Sequence, residues 1–201
     1  MRAALLLALC SLVGCSRESS APPSAAATAT PSHAPAPAST RPAVAPGQLI
    51  TPGKGVTSAQ LGAGLSIVER ELGPCTKMHQ DGKRRVCFYP HRGLEIALVD
   101  NDVTRVSAHR GGRTVPDKEL ADLTFTQFPG ATAEGVRPGM TKVDAEAKLG
   151  PPRASDKPKG DVPAKDGARR IAVLEYPGLA LEVEMVHGEL IVGAIHVPKG
   201  P

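Results

Sequence analysis

Tyr176 to His196 reads YPGLALEVEMVHGELIVGAIH, and Tyr89 to His109 reads YPHRGLEIALVDNDVTRVSAH. The two stretches align without a gap at a spacing of 176 − 89 = 87, pairing Tyr89 with Tyr176, Leu94 with Leu181, Glu95 with Glu182 and His109 with His196. Within each, apolar residues alternate with others at a period of two: Leu94, Ile96 and Leu98 in the first, Leu179, Leu181, Val183 and Met185 in the second. Period two marks strands with one apolar face. Asp100-Asn101-Asp102 and His187-Gly188 are the turn residues that convert each stretch into a hairpin. Val86 to Tyr89 and Ile171 to Tyr176 add a strand before each hairpin.

Upstream of each meander lies a helical pattern. In Leu61 to Cys75, residues Leu61, Leu65, Val68 and Leu72 fall on one helical face, and Gly73-Pro74 ends the run. Pro138 to Pro152 repeats this at a spacing of 149 − 72 = 77, aligning Leu72-Gly73-Pro74 with Leu149-Gly150-Pro151. Ser66 with Glu69, and Thr141 with Asp144, have the spacing of a capping box. The apolar stripe of the second helix is thin, resting on Met140, Ala145 and Leu149, so its stability must come from packing on the sheet. Between the units, Pro116 to Leu123 has helical composition and Thr124 to Phe128 reads as a strand, with Phe125 and Phe128 as core residues. Arg153 to Ala168 is a polar loop that expands the repeat spacing from 77 to 87.

The expected fold is therefore α+β, two tandem copies of a small helix plus an antiparallel β-meander, over residues 48–113 and 114–201. They follow a signal peptide over 1–14 and a linker over 15–47. Met1-Arg2 and the apolar run Ala3 to Val13 have the proportions of a signal sequence, too short for the roughly 20 residues that span a bilayer. Ser16 to Gly47 is built from Ala, Pro, Ser and Thr, has almost nothing large to bury, and is expected to be a disordered tether.

Leu12-Val13-Gly14-Cys15 resembles the lipobox of bacterial lipoprotein signals. That resemblance implies cleavage before Cys15, lipidation of its thiol, and membrane attachment through several acyl chains. Ser16, in place of the Asp that retains lipoproteins at the inner membrane, favours the outer membrane. Gly139-Met140-Thr141 followed by Leu149-Gly150-Pro151 resembles the motif of the SmpA/OmlA (BamE) type of small outer-membrane lipoprotein, and a tandem of such units is similar in plan to the β-lactamase inhibitory protein. The matching residues cap helices and pack strands, so the resemblance implies the fold and does not carry over the family's partner-binding surfaces.

Without Arg2 the formal charge is 4 − 1 = +3, and aromatics are only 2% of the chain with no Trp, which together argue against a nucleic-acid partner. Gly53-Lys54-Gly55 lacks the spacing of a phosphate loop. Cys75 and Cys87, the pair left after processing and lipidation, are expected to form a disulfide in an oxidising envelope compartment. Two free thiols, or a zinc site with His79 and His91, are the alternatives. No other metal or cofactor is expected. His109 and His196 occupy equivalent strand ends and read as structural positions, while Glu95, Glu182, Asp102 and Glu189 alternate with apolar residues and are expected in solvent. Arg84-Arg85 and Arg169-Arg170 precede the same strand in each unit and read as solvated strand ends, with contact to anionic lipid or polysaccharide as the alternative. With no catalytic set, the expected function is a non-catalytic envelope lipoprotein that binds a protein partner. The alternative is an inhibitor of a secreted or periplasmic hydrolase.

Overall fold

The computed structural model describes residues 48–114, 123–156 and 167–200. The signal sequence, Cys15, the linker, all but the last residue of the Pro116 to Leu123 segment, and most of the Arg153 to Ala168 loop lie outside the described residues. Among the described residues the fold is α+β: two α-helices and mostly antiparallel strands in two sheets.

The small sheet comes first in the chain. Strand β1 (Leu49–Thr51) turns through Gly53 into β2 (Gly55–Val56), which pairs with β3 (Ala59–Gln60). Its fourth member, β8 (Ala131–Thr132), pairs with β1 in parallel. Helix α1 (Leu65–Leu72) then leads into β4 (Lys77–Asp81), β5 (Arg84–Tyr89), β6 (Leu94–Val99) and β7 (Asp102–His109). Helix α2 (Lys142–Leu149) leads into β9 (Ala154–Asp156), β10 (Arg169–Tyr176), β11 (Leu179–Val186) and β12 (Glu189–Pro198).

Those eight strands form one sheet in the order β4-β5-β6-β7-β12-β11-β10-β9. The two last strands of the two meanders therefore meet at its centre, antiparallel, with Ala108 opposite Ile195, Ser107 opposite His196, and His109 opposite Ala194. Ala108 and Ile195 are 195 − 108 = 87 residues apart, the offset of the sequence repeat. Each helix is tied to the last strand of its own meander by the segment before it. Gly62 N–H donates to Val103 O and Val103 N–H to Ala63 O in the first; Gly139 N–H donates to Val192 O and Val192 N–H to Met140 O in the second.

One contiguous apolar core joins both helices and the small sheet to one face of the large sheet. Val68 and Leu72 of α1 and Ala145 of α2 enter it, and beneath them lie Leu94, Ile96, Leu98, Val106, Leu181, Val183 and Ile195. Phe128 joins this core, whereas Phe125 packs on Phe88 in a second cluster on the other side. As the thin stripe of α2 implied, Ala145 is its one buried residue, and Val143 is 74% exposed.

Local expectations hold in part. Thr141 caps α2, its Oγ1 accepting from Asp144 N–H at 3.1 Å. Ser66 caps nothing: α1 starts at Leu65, which puts Gly64 at the cap position with no side chain to offer. Both hairpin turns place their central residues at positive φ, Asp100 and Asn101 at 49° and 74°, His187 and Gly188 at 50° and 88°, the handedness that matches strand twist. Each meander has four strands where three were expected, because the polar stretches 77–81 and 154–156 pair along the outer edges. Thr124 to Phe128 is not a strand, since only Thr124 makes a bridge, to Thr114.

Candidate functional site

Because successive residues of a strand point to opposite faces, the strands that send Ile96, Val106, Ala108, Leu181, Val183 and Ile195 into the main core send Glu95, Ser107, His109, Glu182, Glu184 and His196 to the face opposite α1 and α2. That face is not bare. After β7 the chain passes through Arg110, Gly111, Gly112, Arg113 and Thr114, and the returning segment is held to it by Phe125 N–H donating to Arg113 O and Gly112 N–H donating to Phe125 O, both 2.9 Å. The Phe125 ring stacks on the His109 imidazole, centroids 4.0 Å apart and planes 19° apart.

Under this cover lies a chain of buried ion pairs across the junction of the two meanders. Arg113 is its hub: Nη2 donates to Glu182 Oε1 at 2.6 Å, Nε to Glu184 Oε1 at 2.9 Å, and Nη1 sits 2.8 Å from His109 Nδ1. Arg110 Nε donates to the other oxygen of Glu184 at 2.7 Å. Glu184 is 1% exposed, and it has room only because residue 193 is glycine: a Cβ there would run into the Glu184 carboxyl. Glu182 also receives His196 Nε2 at 3.1 Å and Arg170 Nε at 3.3 Å, and the other ring nitrogen of His196 is 2.9 Å from Ser107 Oγ. On the other side of the junction, Arg105 Nη2 reaches Glu95 Oε1 at 2.6 Å, and His109 Nε2 lies 3.6 Å from Glu95 Oε2.

These contacts set protonation. A guanidinium has only donors, so Arg113 beside Nδ1 of His109 makes that nitrogen the acceptor and leaves the ring proton on Nε2, facing Glu95. Burial disfavours the imidazolium, the Glu95 carboxylate pulls the other way and Arg113 opposes it; the net result holds His109 down at about 4. For Glu182, burial alone would raise the carboxyl, but the His196 hydrogen bond and the charges of Arg113, His196 and Arg170 bring it to about 2. Glu95 is held below the usual carboxylate range in the same way, burial being overcome by the nearby His109 imidazole and by Arg105 and His196.

Above the network opens a cleft of about 480 Å³. Its apolar wall is Val86, Phe88, Phe125 and Val173; its polar wall includes Glu95, Arg105, His109, Arg113, Thr114, Arg170, Glu182 and His196, with His79 at the β4 side. A smaller groove of about 250 Å³ lies along Arg84, Arg85 and Arg105.

Glu95 and Glu182, expected in solvent, are thus buried or half-buried in ion pairs, and the physical reason is the 110–114 and 123–126 cover, which strand periodicity does not reveal. Asp102 and Glu189 are exposed as expected. Arg170 belongs to the cleft, while Arg84 and Arg85 line the smaller groove. Arg110, Arg113, Ser107 and Glu184 had no distinguishing sequence signal of their own. The available signal was the doubled Glu-His pair: 109 − 95 = 14 and 196 − 182 = 14, one acid and one base at the same separation in both stretches.

Ser107, His196 and Glu182 form a hydrogen-bonded serine-histidine-glutamate chain, but Ser107 has no exposed surface, so no substrate carbonyl can reach its hydroxyl. Cys75 and Cys87 are free thiols in the structure, with no bond between them. They are neighbours: burial raises the Cys87 thiol, and a hydrogen bond and charge from Cys75 raise it further. His79 lines the cleft whereas Cys87 is in the main core, on the opposite face of the sheet, so the four candidate zinc ligands do not converge; among the described residues no group of three metal-ligating side chains gathers. Also among the described residues, no helix is long and apolar enough to cross a membrane. Comparison with protein families, curated proteins and solved structures finds no match.

Proposed function

We propose that the chain is an envelope lipoprotein, anchored through lipid on Cys15 and favouring the outer membrane, whose folded part is a duplicated SmpA/OmlA-like helix-meander unit that binds a protein partner through the face of the large sheet opposite α1 and α2. Duplication is supported by the junction register, in which Ala108 pairs with the residue one repeat away, so that His109 and His196, Glu95 and Glu182 are related about that pair. The observation that carries the binding reading is the cleft. Its ionic side chains are fixed by mutual contacts before any ligand arrives, and the one serine in hydrogen-bond reach of a histidine there is enclosed. Pre-set charges and an apolar wall suit recognition, because little conformational freedom remains to be lost on binding.

The test is site-specific photo-crosslinking of the lipidated protein in membranes of the source organism. A photo-reactive residue at Arg105, in the cleft, is expected to capture a discrete protein that the same residue at Val143, exposed on α2, does not. Equal capture from both positions, or none from Arg105, sinks the reading. Cys15→Ala is expected to release the protein from the membrane.

The fixed charge lattice also supports the second reading, an inhibitor of a secreted or periplasmic hydrolase. Under that reading the soluble Cys15→Ala form retains tight binding to its enzyme and blocks turnover; under the first, detachment abolishes function.

A further inference from the structure

Two buried polar atoms in the cleft wall have no hydrogen-bond partner: His109 Nε2 and Thr114 Oγ1. The nearest acceptor to the first, Glu95 Oε2, is 3.6 Å away, beyond hydrogen-bonding length. Two guanidiniums in the same wall also keep unused donors. Arg105 engages Glu95 through Nη2, and Arg170 engages Glu182 through Nε alone, leaving the Nη groups of Arg170 and the rest of the Arg105 fork without a partner among the described residues.

The acceptors, by contrast, are mostly taken. Both oxygens of Glu182 and Oε1 of Glu95 are engaged, and Glu95 Oε2 faces His109. With the histidines counted neutral, Arg105, Arg113 and Arg170 against Glu95 and Glu182 leave the wall at 3 − 2 = +1. A wall of idle donors with one surplus positive charge calls for a singly charged, acceptor-only group. The planar fork of a guanidinium matches the two oxygens of a carboxylate, and a doubly charged phosphate would overfill the surplus. Opposite these donors, Val86, Phe88, Phe125 and Val173 offer an apolar surface, and about 480 Å³ lies in the range of ligand pockets, roughly 300–1,000 Å³.

We propose that this cleft is a binding pocket for a carboxylate carried on an apolar body, the carboxylate taking the free N–H groups of Arg170 or Arg105, the body lying against Phe88 and Phe125. The carboxylate has two possible sources, a free aryl or alkyl acid, or, resting on the partner-binding reading above, an acidic side chain beside an aromatic one on the partner.

The experiment titrates the full mature chain by calorimetry with 4-phenylbutyrate and its amide, and with the peptides acetyl-Phe-Glu-amide and acetyl-Phe-Gln-amide. At least one acid is expected to bind about tenfold or more tightly than its amide, as losing a charge-assisted pair implies. Arg170→Gln or Arg105→Gln is expected to weaken that acid about fivefold or more and leave the amide unchanged. Equal affinity of acid and amide for the wild-type protein, a comparison independent of whether any variant folds, overturns the pocket. So does indifference of the acid to both arginine substitutions. Tighter binding of the glutamyl peptide than of the free acid assigns the ligand to a partner side chain, and the reverse order assigns a free acid. If neither acid binds while Arg105 still cross-links a partner, the carboxylate pocket falls and the binding module stands; an acid that binds where no partner is captured gives the converse.

Discussion

Acidification from pH 7 to pH 4 should destabilise this protein through one residue more than any other. His109 is enclosed between the Phe125 ring and the Arg113 guanidinium and is held down at about 4 from an ordinary 6.5. Unfolded, it takes a proton at its ordinary value; folded, it does not. The unfolded chain therefore binds more protons between those limits, so the contribution of neutral His109 is fully present above pH 6.5 and is lost as pH falls toward 4. At ~1.36 kcal/mol per pH unit, that interval corresponds to about 3 kcal/mol. For a folded region of this size the loss lowers Tm by roughly 10 °C. The assay is urea unfolding followed by circular dichroism at half-unit steps of pH, on the wild type and His109→Gln. Glutamine offers an acceptor to Arg113 and cannot take a proton, so its stability curve should be flatter by about 3 kcal/mol across the window. Parallel curves would refute the claim that burial and Arg113 keep this imidazole neutral.

Three further outcomes follow from the same geometry. Arg113→Met removes the partner of two buried carboxylates and of His109, and should cost about 3–5 kcal/mol in denaturant unfolding at pH 7; a loss below about 1 kcal/mol would mean the network is not the hub described. Gly193→Ala drives a methyl group into the Glu184 carboxyl and should cost about 1–3 kcal/mol, with most of it recovered when Glu184 is also shortened to alanine and Arg110 to methionine. In protein isolated from an oxidising compartment, intact mass under non-reducing conditions should be lower by two hydrogens as Cys75 and Cys87 join; an unchanged mass would fix them as the free thiols of the structure.

The hairpins were legible because each carries its own chemistry: the period-two alternation of Leu94 to Leu98 and Leu179 to Met185, with Asp100-Asn101 or His187-Gly188 between strands, is local information. Thr141 was legible for the same reason, whereas Ser66 misled because where α1 begins is decided by packing of Gly62 and Ala63 on Val103, outside the capping pattern. Strands β4 and β9 escaped notice because an edge strand is paired on one side only and needs no apolar face; Lys77 to Asp81 has Met78 as its one large apolar residue. The site was hardest. Alternation says which face Glu182 and His109 occupy, but whether that face is wet depends on residues 110–114 and 123–126 lying over it, and on Arg113 meeting Glu182 across 69 residues of chain.

The junction of β7 with β12 also bears on how the chain folds. Within each meander, strands pair with sequence neighbours across tight turns; at the junction Arg105 pairs with Pro198, 198 − 105 = 93 residues away. Long loops close slowly, so the two meanders are expected to form early and the junction late. Until it closes, two strand edges stand open, and Glu182 and Glu184 lack the arginines that come from beyond His109. A chain that closed on a wrong register would bury those carboxylates unpaired. The ion pairs at the centre thus act as a proofreading step in assembly, penalising every arrangement of the two halves except the one in which Ala108 faces Ile195.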